Sequence, residues 1–368
     1  MTIDHKRRDG GSRCRRSIPE AAPADESKLS AGGVVVDRRT SGLRVSMLLA
    51  VLSCSLLASC APRHREERLS DGFGDERLKA APEKIVLAAQ YGLAYAPVAV
   101  ARSKGWFAEE LPGTLFAWET TGNASMVRDA ILSGRMDGGF MGIPPYLIAK
   151  DKGMEWTAVA AVAEAELGLT TVRPDVRSLE DIPPDLRIAL PQPGSIQHIL
   201  LTMAADRRFG DAGRFDNQLV TLKHPDGMAA LLSGTEVEAH FTSPPYLQQE
   251  LATGEAHLVT NGRDAFGGRF TFIIAVVSDE LLRNYPEAVE GLRRTLARAS
   301  GWISENPAKA ADLLADLYPM EREEILDLLE SGALRYGGEV LGMEKFRDFM
   351  YAEGYLRTDL ESHVLVVP

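Results

Sequence analysis

Two glycine–polar pairs at predicted helix starts, Gly122-Asn123 and Gly194-Ser195, are the residues best suited to hold a small polar ligand. The first turn of a helix carries unpaired N–H groups and the positive end of the dipole, which together favour an anion or polar headgroup. Gly194 lets a ligand approach the backbone closely. Ser195 can cap its helix or donate to a ligand, and Asn123 carries the same ambiguity. Ligands of open α/β sheets bind beyond the carboxyl ends of strands. That rule adds Gln90, Tyr91 and Gly92 after the first predicted strand, Gly122 and Asn123 after the second, and Met141, Gly142 and Ile143 after the third. In the second half it adds Gly194, Ser195, Gln197 and His198, then His240 and Thr242. His198 and His240 read as hydrogen-bonding cleft residues or as surface residues. No histidine cluster has metal-ligand spacing, and no G-x-S-x-G, P-loop, G-x-G-x-x-G or H-E-x-x-H pattern occurs. The chemistry expected is capture without catalysis, with no cofactor and no metal.

The elements that must position these residues alternate. Ile85–Ala89, Leu115–Trp118 and Gly138–Met141 read as short buried strands. Between them, Tyr95–Ser103 reads as a helix closed by Gly105, and Asn123–Ser133 as a helix ended by Gly134. Pro144 stands at the first turn of another helix. Trp156–Val162 and Leu167–Val172 are strand-like. After a break rich in Pro and Asp (Arg173–Asp185), Arg187–Leu190, Gln218–Leu222 and Val237–Phe241 read as strands. Ser195–Ala205 and Asp226–Leu232 read as helices, the former with Ile196, Ile199, Leu200 and Met203 on one face. Asp279–Glu353 is nearly all helical, punctuated by Pro286, Pro307 and Pro319. This alternation predicts an α/β fold with mostly parallel sheets.

One internal repeat organises the alternation. Ala130-Ile131-Leu132-Ser133-Gly134 precedes Pro144-Pro145-Tyr146, and Ala230-Leu231-Leu232-Ser233-Gly234 precedes Pro244-Pro245-Tyr246 at the same spacing. Two similar lobes, with a cleft between them, follow from a repeated helix–strand–turn unit.

The N-terminal part is of a different kind. Val45–Ala58 has the length of a secretory h-region and is preceded by Arg38, Arg39 and Arg44. It is shorter than the roughly 20 apolar residues a membrane-spanning helix needs. It ends at Leu57-Ala58-Ser59-Cys60, which is similar to the lipobox of bacterial lipoproteins. That resemblance implies cleavage before Cys60, lipid on its thiol and attachment to a bacterial membrane on the extracytoplasmic side. Residues 1–44, rich in Arg, Gly and Ser, read as a disordered leader whose true start lies nearer the h-region. Residues 61–82 read as a flexible tether. The chain's other cysteines, Cys14 and Cys54, precede Cys60, so the domain beyond has no disulfide and no free thiol. The formal charge is −11 at pH 7, and the leader is net basic, so the rest is more acidic still. Such a surface repels nucleic acid.

At Ala89-Gln90-Tyr91-Gly92, Ala96-Pro97 and Lys104-Gly105-Trp106-Phe107 the chain resembles the nitrate/sulfonate/taurine-type substrate-binding proteins of ABC transporters. Leu132-x-Gly134-x-x-Asp137, Leu179-x-Asp181, Arg187-Ile188-Ala189 and Gly194-Ser195 continue the resemblance in order, over about Lys84 to Leu356. Pro183-Pro184-Asp185 stands where the family usually has Lys-Gly-Lys. The resemblance implies the type II periplasmic-binding-protein fold, with residues 83–175 and 269–368 in one lobe, 176–268 in the other, and crossovers near Val172–Ser178 and Gly267–Phe272. It implies a monomer that closes on a small-molecule solute and delivers it to an ABC permease with its ATPase. The solute is an organic anion of the sulfonate, nitrate or taurine type, or a pyrimidine or thiamine-precursor-like heterocycle. A pyrimidine-precursor synthase on the same fold and a ligand-sensing lipoprotein are the alternatives.

Overall fold

The computed structural model describes residues 81–362 and 365–367, so the leader, the apolar run, Cys60 and the tether as far as residue 80 lie outside the described residues. Two sheets organise the rest. The strands are β1 (Lys84–Ala89), β2 (Leu115–Thr120), β3 (Gly138–Met141), β4 (Trp156–Ala165), β5 (Gly168–Thr171), β6 (Ile188–Leu190), β7 (Leu219–Thr221), β8 (Ala239–Thr242), β9 (His257–Asn261), β10 (Ile273–Ser278) and β11 (Leu334–Tyr336). One sheet has the order β11-β4-β10-β3-β1-β2 and the other β7-β6-β8-β5-β9. None of the described helices is long and apolar enough to cross a membrane.

The repeat is a repeat of topology. β3 pairs parallel with β1 and antiparallel with β10; β8 pairs parallel with β6 and antiparallel with β5. The sheets are therefore mixed, not mostly parallel. β1/β2, β1/β3, β6/β7 and β6/β8 are parallel, and the remaining pairings are antiparallel. Three strands run against the rest of their sheet: β11 at the edge of the first, and β5 and β10, each of which enters its sheet from the other one. A strand that enters in this way lacks the helical crossover that makes successive strands parallel.

The first crossover also differs from expectation. It falls at Glu166 and Leu167, between β4 and β5, and not at Val172–Ser178, so Gly168–Thr171 belongs to the second sheet. An apolar run shows that a strand is buried, and says nothing about which sheet receives it. The return lies between Asn261 and Ile273. The two passages run side by side: Gly262 N donates to Leu167 O at 2.7 Å, and Phe272 N donates to Ala163 O at 2.8 Å. Three strands, β9, β10 and β11, have no counterpart in the sequence reading. β10 is the most consequential of them, being buried at its first five positions between β3 and β4.

The glycines of β3 allow that packing. A Cβ on Gly138 would lie 2.5 Å from Val276 O of β10, and one on Gly139 2.7 Å from Val127 Cγ1. The main hydrophobic cluster runs through both sheets, from Leu87 and Phe140 to Leu169 and Leu190. A small satellite of Ala189, Leu231, Val237 and Ala256 lies under the second sheet's edge. The C-terminal helices pack on the first sheet, and β11 closes its edge against β4.

The Pro-Pro-Tyr turns, identical in sequence, part ways. Pro144 and Pro145 form the first turn of the helix Ile143–Asp151, whereas the helix Tyr246–Ala252 starts after Pro244-Pro245, a cis pair. Tyr146 is wholly buried and its hydroxyl donates to Leu365 O at 2.7 Å. Tyr246 instead faces a cavity.

Candidate functional site

The carboxyl ends of β1, β2 and β3 meet those of β6 and β7. Gln90, Tyr91, Gly122 and Gly142 from the first lobe, and Gln192, Ser195, Gln197 and His224 from the second, line one narrow cavity of about 40 Å³. That is room for a water or two. Phe272 and Ile273, at the return crossover, form its floor. Gln90, Tyr91 and Tyr95 also line a much larger cavity of about 1120 Å³, so the two are contiguous.

Three of the glycines expected to face a ligand also meet the opposite lobe. A Cβ on Gly92 would lie 3.2 Å from Pro244 O, one on Gly142 3.2 Å from Ile196 Cβ, and one on Gly194 2.7 Å from Ile148 Cδ1. Gly92 and Gly194 also hold positive φ values of 111° and 78°. At these places the lobes touch because no side chain intervenes. A hydrogen bond spans the same gap: Gln192 Oε1 accepts from Ser125 N at 3.2 Å, at the N-terminus of the helix Ala124–Leu132. A side-chain carbonyl therefore satisfies one of the N–H groups that the sequence reading assigned to a ligand.

The remaining expected residues divide clearly. Asn123 Oδ1 caps its helix by accepting from Met126 N, and Ser195 Oγ does so from His198 N while also lining the narrow cavity. Met141 and Ile143 are fully buried in the core. His198 is buried away from the cavity. Its Nδ1 accepts from Gly194 N at 2.9 Å and its Nε2 meets Asp216 Oδ1 at 3.0 Å, so it holds the Gly194 turn. His240 and Thr242 lie in β8 behind the cavity and are fully buried. Neither histidine is a surface residue.

The residue that joins these to the cleft is His224, at the start of the helix His224–Ser233. Its Nε2 lies 3.0 Å from Gln197 Nε2, and its Nδ1 lies 3.1 Å from His240 Nε2. His240 Nδ1 is 2.6 Å from Glu250 Oε1, and Thr170 Oγ1 donates to Glu250 Oε2 at 2.5 Å. The Thr242 hydroxyl stands 3.4 Å from His224 Nδ1. Burial, and then the neighbouring His240, push the His224 pKa well below its ordinary value. Tyr246 stacks on the His224 ring with centroids 5.7 Å apart.

The larger cavity is walled by Tyr91, Tyr95, Tyr246 and Tyr318, with Val98, Met228 and Leu317 between them. Burial holds these last three tyrosines protonated, Tyr246 being pushed up to about 12 by burial and by Tyr91. Arg102 is the one charged group among the described lining residues, and its guanidinium sits 4.8 Å from the Trp118 ring centroid. Phe140 and Phe241 are core residues.

From the sequence, His224 reads as a residue near the second-lobe rim and Arg102 as a solvated helix residue, neither assigned to the site, and Tyr246 and Gln192 are not assigned to it either. The strand-end rule applied to β7 would have found His224, and Gln192 lies just beyond β6. The repeat itself pointed to Tyr246. Arg102 sits in mid-helix, and no local pattern tells a cavity wall from a solvated face.

Two outcomes follow from this geometry. Gly142→Trp, at an ordinary φ of −69°, should wedge the lobes apart at Ile196, where even a Cβ would lie 3.2 Å from the side chain. Small-angle scattering should then give a larger radius of gyration than the parent; equal radii would show that the contact is absent in solution. For His224, the folded-state pKa lies below the unfolded value of 6.5. Unfolded chains then bind more protons, so the stability it contributes is present above pH 6.5 and lost as pH falls through that value. Denaturant titrations should show a decline of at most ~1.4 kcal/mol per pH unit, removed in His224→Gln.

Solved structures with this architecture include the alkanesulfonate-binding protein SsuA of Xanthomonas axonopodis pv. citri bound to MOPS, at 21% identity and TM-score 0.66, covering 78% of this chain and 99% of that one. The periplasmic aliphatic sulphonate-binding protein SsuA of Escherichia coli matches at 19% identity and TM-score 0.62, over 78% of this chain and 93% of that one. The periplasmic nitrate-binding protein NrtA of Synechocystis PCC 6803 matches at 16% and 0.62, over 76% and 84%. The fold is thus the type II periplasmic-binding-protein fold expected from the sequence. No functionally curated protein matches the chain in sequence. The profile of the NMT1-like family matches residues 79–317, more than half of the 368, and the chain belongs to that family.

Proposed function

We propose that this protein is the extracytoplasmic solute-binding component of an ABC importer, tethered to a bacterial membrane by lipid on Cys60. The observation that carries the reading is the convergence of strand ends from two topologically equivalent sheets on one cleft. Solute-binding proteins with this fold bind between lobes and close by hinge motion. Here the hinge is the adjacent pair of crossovers, and the lobe contacts at Gly92, Gly142 and Gly194 define the closed arrangement. The narrow cavity suits a polar headgroup and the tyrosine-walled cavity an apolar or flat body, with Arg102 at its wall. A closed complex is then offered to a permease and its ATPase on separate chains.

The described residues that line the narrow cavity carry no cation. This favours a heterocycle of the pyrimidine or thiamine-precursor kind over a bare sulfonate or nitrate. An anionic substituent would be met at Arg102.

A thermal-shift panel of alkanesulfonates, carboxylates and pyrimidines on Ala61–Pro368 should yield at least one stabilising solute. A ligand at 100 times its Kd adds about 2.7 kcal/mol. A panel without any shift, together with native mass spectra free of bound solute, would overturn the capture reading. Separately, Cys60→Ala should move the full-length protein from the membrane to the soluble fraction, and unchanged retention would rule out the lipid anchor.

A further inference from the structure

The buried row Gln197–His224–His240–Glu250 has one consistent direction, in which the Gln197 amide at one end donates and the Glu250 carboxylate at the other accepts. The group nearest His224 Nε2 is the amide nitrogen of Gln197, at 3.0 Å. An amide nitrogen only donates. His224 Nε2 is therefore an acceptor, and a neutral imidazole whose Nε2 accepts carries its proton on Nδ1. Of the two groups facing that proton, His240 Nε2 at 3.1 Å is nearer than the Thr242 hydroxyl at 3.4 Å, and it takes the hydrogen bond. His240 then also carries its proton on Nδ1 and donates it to Glu250 Oε1, at 2.6 Å. The second carboxylate oxygen receives the Thr170 hydroxyl at 2.5 Å. Both contacts have the shortness of hydrogen bonds to a charged acceptor. His240 and Glu250 are wholly buried, and His224 and Gln197 are 8% and 3% exposed. Gly227 closes the row from above; a Cβ there would lie 2.7 Å from His240 Nε2.

We propose that Glu250 and His240 are positioning residues that, acting through His224, lock the Gln197 amide with its nitrogen turned to the protein and its oxygen left for the solute. The proposal rests on the cleft being a solute site. The consequence is a specificity rule. Among the described residues, Gln197 makes no other side-chain hydrogen bond. Across the cavity, Gln90 is tied in the same sense, its Nε2 donating to Phe140 O at 3.0 Å. Each lobe thus contributes an amide with one N–H engaged by the protein and an oxygen, with two lone pairs, that no described side chain or backbone group engages. These two oxygens favour a solute headgroup that brings donors, each amide keeping one further N–H for an acceptor. Carboxylate and sulfonate oxygens would meet them lone pair to lone pair, while an amide or amine N–H would not.

Nitrogen-15 correlation spectra of the histidine side chains in the full-length protein, recorded without any solute, test the row directly. His224 and His240 should each show a protonated Nδ1 and an unprotonated Nε2. In Glu250→Met, which keeps the length and removes the acceptor, His224 should lose this single tautomer. A protonated Nε2 on His224 would overturn the proposal, as would a His224 signal unmoved in a folded Glu250→Met. If that variant does not fold, the parent spectrum decides alone. Because no solute is present, a negative result here leaves the capture reading intact, and an empty binding panel leaves the tautomers standing.

Discussion

The absence of side chains at Gly92, Gly142 and Gly194 sets how closely the two lobes can approach, and the rest of the site depends on that distance. Each of these glycines sits just past a strand end, where a ligand is ordinarily expected. Each also admits the opposite lobe, whose nearest atoms would lie 2.7–3.2 Å from an added Cβ. With the backbones so close, Gln192 reaches the helix start at Ser125, and the polar groups of both lobes line a single narrow cavity. A methyl group at any of these points would crowd the opposite lobe.

Behind that contact lies a second constraint, the cost of burying polar groups. A buried donor or acceptor without a partner costs about 1–3 kcal/mol. His224, His240, Glu250 and Thr170 satisfy one another in series, and the series ends at the cleft on Gln197. The fold therefore places a rigid polar group at the cavity without leaving a member of the row unsatisfied. The larger cavity follows other rules. Burial keeps Tyr95, Tyr246 and Tyr318 neutral, and the one cation among its described lining residues, Arg102, is set against an aromatic face.

Much of this was legible in the residues. The alternation of short apolar runs with capped helices identified the α/β class, and Asn123 and Ser195 cap the helices they were expected to start. The strand-end rule found Gln90, Tyr91, Gly122, Gly142, Ser195 and Gln197, which do line the narrow cavity. It failed for Met141, the last residue of β3, and Ile143, the first of the following helix, because the side chains on either side of Gly142 turn into the core. It failed differently for His198, which caps a turn by its ring and never reaches the cavity.

Local pattern determined what could be settled within a dozen residues: which runs are strands, where helices begin, and that a unit of helix, strand and Pro-Pro-Tyr turn occurs twice. These depend on side-chain period and backbone preference, which neighbours in sequence decide. Tertiary structure alone decided the sheet that receives β5, the antiparallel entry of β10 and β11, and the opposite fates of Tyr146 and Tyr246. It alone set His224 against Gln197 and His240, whose positions span 43 residues between Gln197 and His240. A hydrogen-bonded row assembled from four elements has no local signature, because its partners are chosen by how sheets and helices pack and not by their separation along the chain.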